Sequence, residues 1–361
     1  MRLFSKFLSQ VIPIGVLLAF STQAIAQPLA PPEPVILRIA TFPGTWVDTL
    51  RQQVGEELLK QGIKLEFVPG NSVNFLAKLV ASKGQPAPFD LVEISEENYP
   101  EFIQGNFLKK LDLTRIPNLK YLNASLYDDT RVAYWISEPT IIYNVDKFKE
   151  AGIAPPKRFS DLADPRLKGR VLVPDISIYH AFYAITGLAY ENGGSEKNPA
   201  PGFEALKRIA PYSAASGSSP VAQAFQSGDA WAAIWGAHGA VRLSQANLNI
   251  SVSHPRIRDK RVAIARGYLG LTANSTQQDA AQKFLNAVLA IKPQTEFNAA
   301  TGMVPVNNEV LKQTVATVPK DHSGSPLLLQ TPDDIANAWW PDYAVINKRE
   351  WTREYQRAIA K

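Results

Sequence analysis

The chain has 361 residues, 45% of them apolar and 20% charged, proportions that exclude a disordered or low-complexity polypeptide. Its 38 Lys and Arg against 33 Asp and Glu leave a net charge of +5, too weak to argue for a nucleic-acid partner. Cysteine is absent, which excludes disulfides, thiolate metal sites and lipid attachment through an N-terminal thiol.

The first element is a leader. Arg2 and Lys6 precede an apolar run from Val11 to Phe20, which leads into Ala24-Ile25-Ala26 ahead of Gln27. A basic head, an apolar stretch too short to span a bilayer and an Ala-x-Ala exit predict a cleavable export signal over residues 1–26 and a protein that works in the periplasm. Removing 26 of the 361 residues leaves 335, more than one hydrophobic core usually serves, so two lobes are expected. Residues 27–34, with Pro28, Pro31, Pro32 and Pro34, read as an extended tether.

Val35 to Ala40 is a β-prone run, after which Val47, Leu50, Val54 and Leu58 recur at helical spacing, with Thr45 as the expected N-cap and Asp48 as its partner. Strands are predicted from Ile63 to Val68 and from Phe89 to Ile94, with a helix between them near Val73 to Ser82. This alternation implies a mainly parallel α/β sheet. The same grammar returns with a strand from Arg170 to Pro174 and a helix from Ile178 to Ala189, capped by Ser177. Ser219-Pro220 caps a further helix over Val221 to Gln226, and Trp231 and Trp235 are expected on one helical stretch beyond it. Late in the chain a strand from Tyr268 to Thr272 precedes Ser275-Thr-Gln-Gln278, a capping box, and a helix with Ala280, Ala281, Phe284, Leu285 and Val288 on one face. Ligands of open α/β sheets sit beyond the carboxyl ends of strands, so the loops at 42–46, 175–180 and 216–220 are candidate binding loops.

Catalytic signatures are missing. The histidines 180, 238, 254 and 322 are far apart in sequence, without the spacing of a metal pair, and read as surface or hydrogen-bonded residues. No Gly-x-Ser-x-Gly elbow, Gly-x-Gly-x-x-Gly turn or phosphate-binding loop is present. The expectation is a protein that is not an enzyme and needs neither metal nor cofactor.

Several blocks are similar to a known family. The segment Ala133-Tyr-Trp-Ile-Ser-Glu-Pro-Thr-Ile-Ile-Tyr-Asn144, then Phe159-Ser-Asp-Leu-Ala-Asp-Pro-Arg-Leu-Lys-Gly-Arg-Val171, then Phe225-Gln-Ser-Gly-Asp-Ala230 and Thr301-Gly-Met-Val-Pro-Val-Asn307 follow in colinear order. Together they resemble the periplasmic substrate-binding proteins of ABC importers, within them the spermidine/putrescine and ferric-ion group. The resemblance implies a two-lobed α/β fold of the type II periplasmic binding proteins, with several interlobe crossings, near 141–144, 251–258 and 302–306. It implies one lobe of residues 35–140 plus 258–303 and a second of 141–257 plus 304–361. It further implies a small polar, nitrogen-containing, polyamine-like solute held between the lobes, a membrane permease as partner and a monomer; the alternatives are a receptor for an anionic solute or ferric iron, or a periplasmic enzyme that uses the same cleft, with Glu96 and Glu138 as a carboxylate pair.

Carried over by position, the resemblance assigns solute contacts to Phe42, Thr45, Trp46, Ser95, Glu96, Tyr134, Trp135, Ser137, Glu138, Ser177, Tyr179, Trp235 and Tyr268. The polyamine pattern is broken at two places: the tryptophan expected at position 136 stands at Trp135, and the acidic residue expected before the late strand is Gly267, beside Arg266. Glu96 and Glu138 are candidates to hold an ammonium group, or else solvated loop charges. Trp135 and Trp235 stack on solute or pack as core. Arg256, Arg258, Lys260, Arg261 and Arg266 form a basic run, read as a solvated loop or an anion site. The Trp339-Trp340 pair reads as lobe packing.

Overall fold

Strands that bury both faces need apolar cover on both sides, and the strands of this chain divide between two sheets that receive it. A computed structural model describes residues 33–360 apart from Val262, Leu329 and Gln330. The predicted export signal lies outside the described residues, as does the tether up to residue 32.

The first sheet contains β1 (Val35–Thr41), β2 (Ile63–Pro69), β3 (Leu91–Ser95), β4 (Leu108–Lys109) and β5 (Val132–Ser137). The second contains β6 (Pro139–Asn144), β7 (Val171–Pro174), β8 (Ser213–Ala215), β9 (Ala232–Gly236) and β10 (Ile250–Ser253), in the order β10-β6-β9-β7-β8. A last strand, β11 (Ala265–Thr272), returns to the first sheet, whose order is β2-β1-β3-β11-β4, with β5 also paired to β11. The sheets are mixed rather than mainly parallel. β1 runs parallel to β2 and β3, and β7 parallel to β8 and β9, but β11 is antiparallel to all its neighbours and β6 to both of its own. The antiparallel strands are those next to the passages of the chain between sheets: β5 runs through Glu138 into β6, and β10 leads through residues 254–264 into β11.

Period-two alternation gives the second sheet two cores. Ile142, Ala233 and Trp235 face a core shared with the first sheet, whereas Ile141, Ala232 and Ile234 face Phe182, Leu206, Trp351 and Tyr355. Among the described residues no helix is long and apolar enough to cross a membrane.

Helix starts differ from the expected caps. The helix Thr45–Lys60 begins at Thr45 itself, after Gly44, whose φ of 70° admits a glycine and strains other residues. The helix Tyr179–Glu191 follows Ile178, because Asp175 takes the Ser177 hydroxyl and N–H in a turn of its own. The helix Ser218–Gln226 starts two residues before Pro220, and the helix Gln278–Val288 starts beyond Ser275, whose hydroxyl donates to Asp90. Trp231 and Trp235 share no helix: Trp235 lies on β9 and Trp231 just before it.

Candidate functional site

The carboxyl end of β3 supplies four acidic or polar residues in a row, and the strand's burial brings their charges inside. Glu93 is fully buried; its Oε2 accepts from the Thr41 hydroxyl and the Phe42 N–H (3.2 Å), and its Oε1 from Trp135 Nε1 at 2.7 Å. Burial pushes this carboxyl up from its ordinary range while the donors pull against it. The Trp46 indole donates to the Tyr134 hydroxyl at 2.7 Å and packs edge-on against Trp135 and Phe42.

Trp135 occupies this place because Gly267 lies opposite it on β11. A Cβ at Gly267 would stand 1.8 Å from Trp135 Cε2, so the indole fills the volume a side chain at position 267 would need. The glycine at 267 and the indole at 135 are thus one feature: the ring is seated where a larger residue on β11 would exclude it.

The second sheet brings its own rings to the same place. Tyr179 and His180 open the helix Tyr179–Glu191, with the Tyr179 ring 6.0 Å from Trp135 and 4.1 Å from His180. His180 stacks on Trp235 at 4.7 Å and lies 6.1 Å from His238. Ser137 Oγ sits 3.5 Å from His180 Nε2 and 3.5 Å from His238 Nδ1. Burial keeps both imidazoles neutral: it pushes His238 down to about 3, with the Arg242 charge adding, and His180 well down, with His238 adding. His180 Nδ1 and Trp235 Nε1 are buried with no hydrogen-bond partner among the described residues.

Beyond β3 the short turn Glu96–Asn98 carries the acidic side of the site. Glu96 forms a buried ion pair with the Arg266 guanidinium and accepts the Arg266 N–H at 3.1 Å. Burial opposes the Arg266 charge, and Glu96, with Tyr268 and Tyr183 adding, more than offsets it. Glu97 is 5% exposed; its Oε1 accepts from Asn98 Nδ2 at 2.9 Å and its Oε2 is buried with no partner. Burial raises this carboxyl to about 7, against its own backbone N–H and the charge of Lys348, while Glu96 and Glu101 push the same way as burial. Lys348 donates to Glu101 at 2.6 Å and to Asn98 at 3.3 Å.

A family model described as bacterial extracellular solute-binding protein matches residues 52–322. The chain belongs to the bacterial extracellular solute-binding proteins. Proteins of this family bind solutes and are not enzymes. Its fold is similar to that of an ABC transporter protein from Clostridium perfringens, with 22% identity, a TM-score of 0.72, and coverage of 90% of this chain and 100% of that one. It is also similar to a spermidine/putrescine-type ABC transporter protein from Listeria monocytogenes, at 17% identity and TM-score 0.68 over 90% of this chain and 98% of that one. A third similar structure is the periplasmic binding protein AgtB from A. tumefaciens with agropinic acid, at 18% identity and TM-score 0.66 over 89% and 99% of the two chains. No curated protein sequence matches.

In this solute-binding protein, Phe42, Trp46, Tyr134, Trp135 and Tyr179 form a path of contacts that His180 extends to Ser137 and Trp235. The other expected contacts have different surroundings. Thr45 and Ser177 are exposed, and Ser95 donates its N–H to Ser72 Oγ at 2.6 Å, bracing the end of β3. Tyr268 lies in the ring stack beneath the Arg131 guanidinium at 4.2 Å. Glu96 and Glu138 are neither solvated nor free to take a solute ammonium. Glu96 is paired with Arg266, and Glu138 lies 2.6 Å from His254 Nδ1.

The basic run does not act as one cradle. Arg256 bonds the Asp259 carbonyl, Arg258 lies over Tyr190, Arg261 lies 3.7 Å from Asp334, and Arg266 is buried rather than solvated. Ser218 and Ser219 of the third candidate loop line a cavity of about 130 Å³ with Gln226, Trp235 and Arg242. Glu93, Glu97, His180 and His238 are absent from the expected set. The sequence signal for Glu97 was present, as the second carboxylate of a doublet at a strand's carboxyl end.

Proposed function

We propose that this chain is the solute receptor of an ABC importer, exported to the periplasm by removal of residues 1–26. It holds a small nitrogen-containing, polyamine-like solute between two lobes and presents it, as a monomer, to a membrane permease. The observation that carries this reading is the path of rings Trp46, Trp135, Tyr179, His180 and Trp235, which begins on the helix after β1, passes β5 of the first sheet and ends on β9 of the second. Aromatic faces accept both alkyl chains and cationic groups, and the neutral imidazoles and Ser137 add polar contacts without a fixed charge. Family membership and the two-sheet architecture support it. Contacts that need both sheets exist in the closed arrangement alone, so a solute that makes them shifts the protein toward closure.

The test is a thermal-shift screen of diamines, amino acids, aminophosphonates and ferric salts, followed by recovery of the binder and small-angle scattering. A ligand bound by the folded state alone raises the melting temperature by mass action. The expected outcome is a nitrogen-bearing solute that stabilises the protein, is recovered unchanged and reduces the radius of gyration. Chemical conversion of the solute, or stabilisation by ferric salts alone, would overturn this reading.

A further inference from the structure

Three carboxylates meet at the turn after β3, and two cations answer them. Arg266 neutralises Glu96, and Lys348 lies on Glu101. Glu97 is left with its own backbone N–H and the side-chain amide of Asn98, whose carbonyl accepts from Lys348. Two buried oxygens in this cluster, Glu97 Oε2 and Glu101 Oε2, have no hydrogen-bond partner among the described residues. An ionised carboxylate this deep in protein calls for a positive partner, and with Glu97 ionised the cluster is one positive charge short.

The missing cation has a defined chemical setting. Tyr179, from the second sheet's side of the ring path, and Tyr343, from the C-terminal segment, both lie near enough for the Glu97 charge to raise their hydroxyls, after the larger effect of burial. A charge flanked by aromatic rings and carboxylates suits an organic ammonium, which gains from both.

We propose that Glu97 takes one positively charged nitrogen group of the solute, completing the charge balance of Glu96, Glu97, Glu101, Arg266 and Lys348. This assignment rests on the receptor reading above and goes beyond it: the solute is a monocation or zwitterion at this end, and neither Glu96 nor Glu138 is its partner. Because Oε2 is buried, the ammonium enters as the two halves part and is enclosed when they meet.

Burial raises the Glu97 carboxyl to about 7; its own N–H and the Lys348 charge pull against this, Glu96 and Glu101 add to it, and the Glu97 charge in turn raises the Tyr179 and Tyr343 hydroxyls. An ammonium partner requires the ionised form, so binding at pH 7 releases about half a proton. Affinity is about tenfold weaker at pH 6 than at pH 8, from the same linkage.

The experiment is isothermal titration with size-matched probes, putrescine, γ-aminobutyrate and succinate, followed by homologous amines and amino acids, in two buffers of different ionisation enthalpy. The amine-bearing probes are expected to bind, with proton release at pH 7, and succinate is not. Glu97→Gln should weaken binding about tenfold or more and abolish both proton release and the pH dependence, consistent with a lost charge-assisted bond. Glu97→Asp, which keeps the charge, serves if the glutamine variant fails to fold and should retain proton release. Binding of an amine without proton release, and unchanged in Glu97→Gln, overturns the role of Glu97 while leaving the receptor reading intact. Binding by succinate alone, by calcium or potassium ions alone, or by no nitrogen-bearing probe overturns both.

Discussion

Glu93 and Glu97 lie four residues apart on one strand and its exit turn, both buried, yet their surroundings are opposite. Glu93 is met by a hydroxyl, a backbone N–H and an indole N–H that reach it from β1, the following loop and β5. Glu97 is met only locally, by the Asn98 amide and its own N–H, and keeps Oε2 buried with no partner among the described residues. The first is a finished joint that locks Trp135 over Gly267; the second is a charge still lacking its counterpart. A buried carboxylate therefore does not identify a binding residue by itself. The state of its partners does.

The largest test of this contrast is Arg266→Met, which strips Glu96 of its cation and makes it a second uncompensated carboxylate. Removing one member of a buried pair should cost about 3–5 kcal/mol of unfolding free energy, measured by urea denaturation at pH 7. A loss below about 1 kcal/mol would mean that the pair is not as buried as its contacts imply.

Glutamine substitutions should then act with opposite signs. Glu97 has a folded-state value raised to about 7 above an ordinary 4.5, so its neutral form favours folding. Its contribution is fully present below about pH 4.5 and is lost as pH rises through about 7, at about 1.4 kcal/mol per unit. Glu97→Gln should accordingly stabilise the unliganded protein by about 3 kcal/mol at pH 8 and by little at pH 4.5. Glu93→Gln turns an acceptor met by three donors into a group with its own N–H hydrogens, and should destabilise by about 1–3 kcal/mol. Paired melts of both variants across pH 4.5–8 check the two signs. Gly267→Ala should cost about 1–3 kcal/mol by forcing Trp135 off Glu93, visible as a shift in tryptophan fluorescence with the lowered melting temperature.

Much of the frame was readable beforehand because local patterns and tertiary packing agree: β1, β2, β3 and the helices between them follow from apolar spacing. The aromatic residues at 42, 46, 134, 135 and 179 pack in one set of contacts, which His180 extends to Trp235. The charges were harder to place. Arg266 stands among other basic residues in sequence but falls on a strand buried on both faces, where Glu96 meets its charge and the Ser125 carbonyl and Trp340 ring line the rest of the guanidinium. In the turn Glu96–Asn98 adjacent side chains diverge, so a one-residue step separates the paired carboxylate from the unpaired one. His180 and His238 are 58 positions apart and meet because two helices begin at the same side of the second sheet. No sequence spacing encodes that.

The most direct test of the central claim is carboxyl-carbon NMR of Glu97, titrated with pH in the free protein and again with a bound amine found by the solute screen. The expected result is a midpoint near 7 in the free protein, falling by about two units or more when the ammonium is present. A Glu97 resonance whose midpoint is the same with and without the amine would contradict the claim that the solute supplies the missing charge.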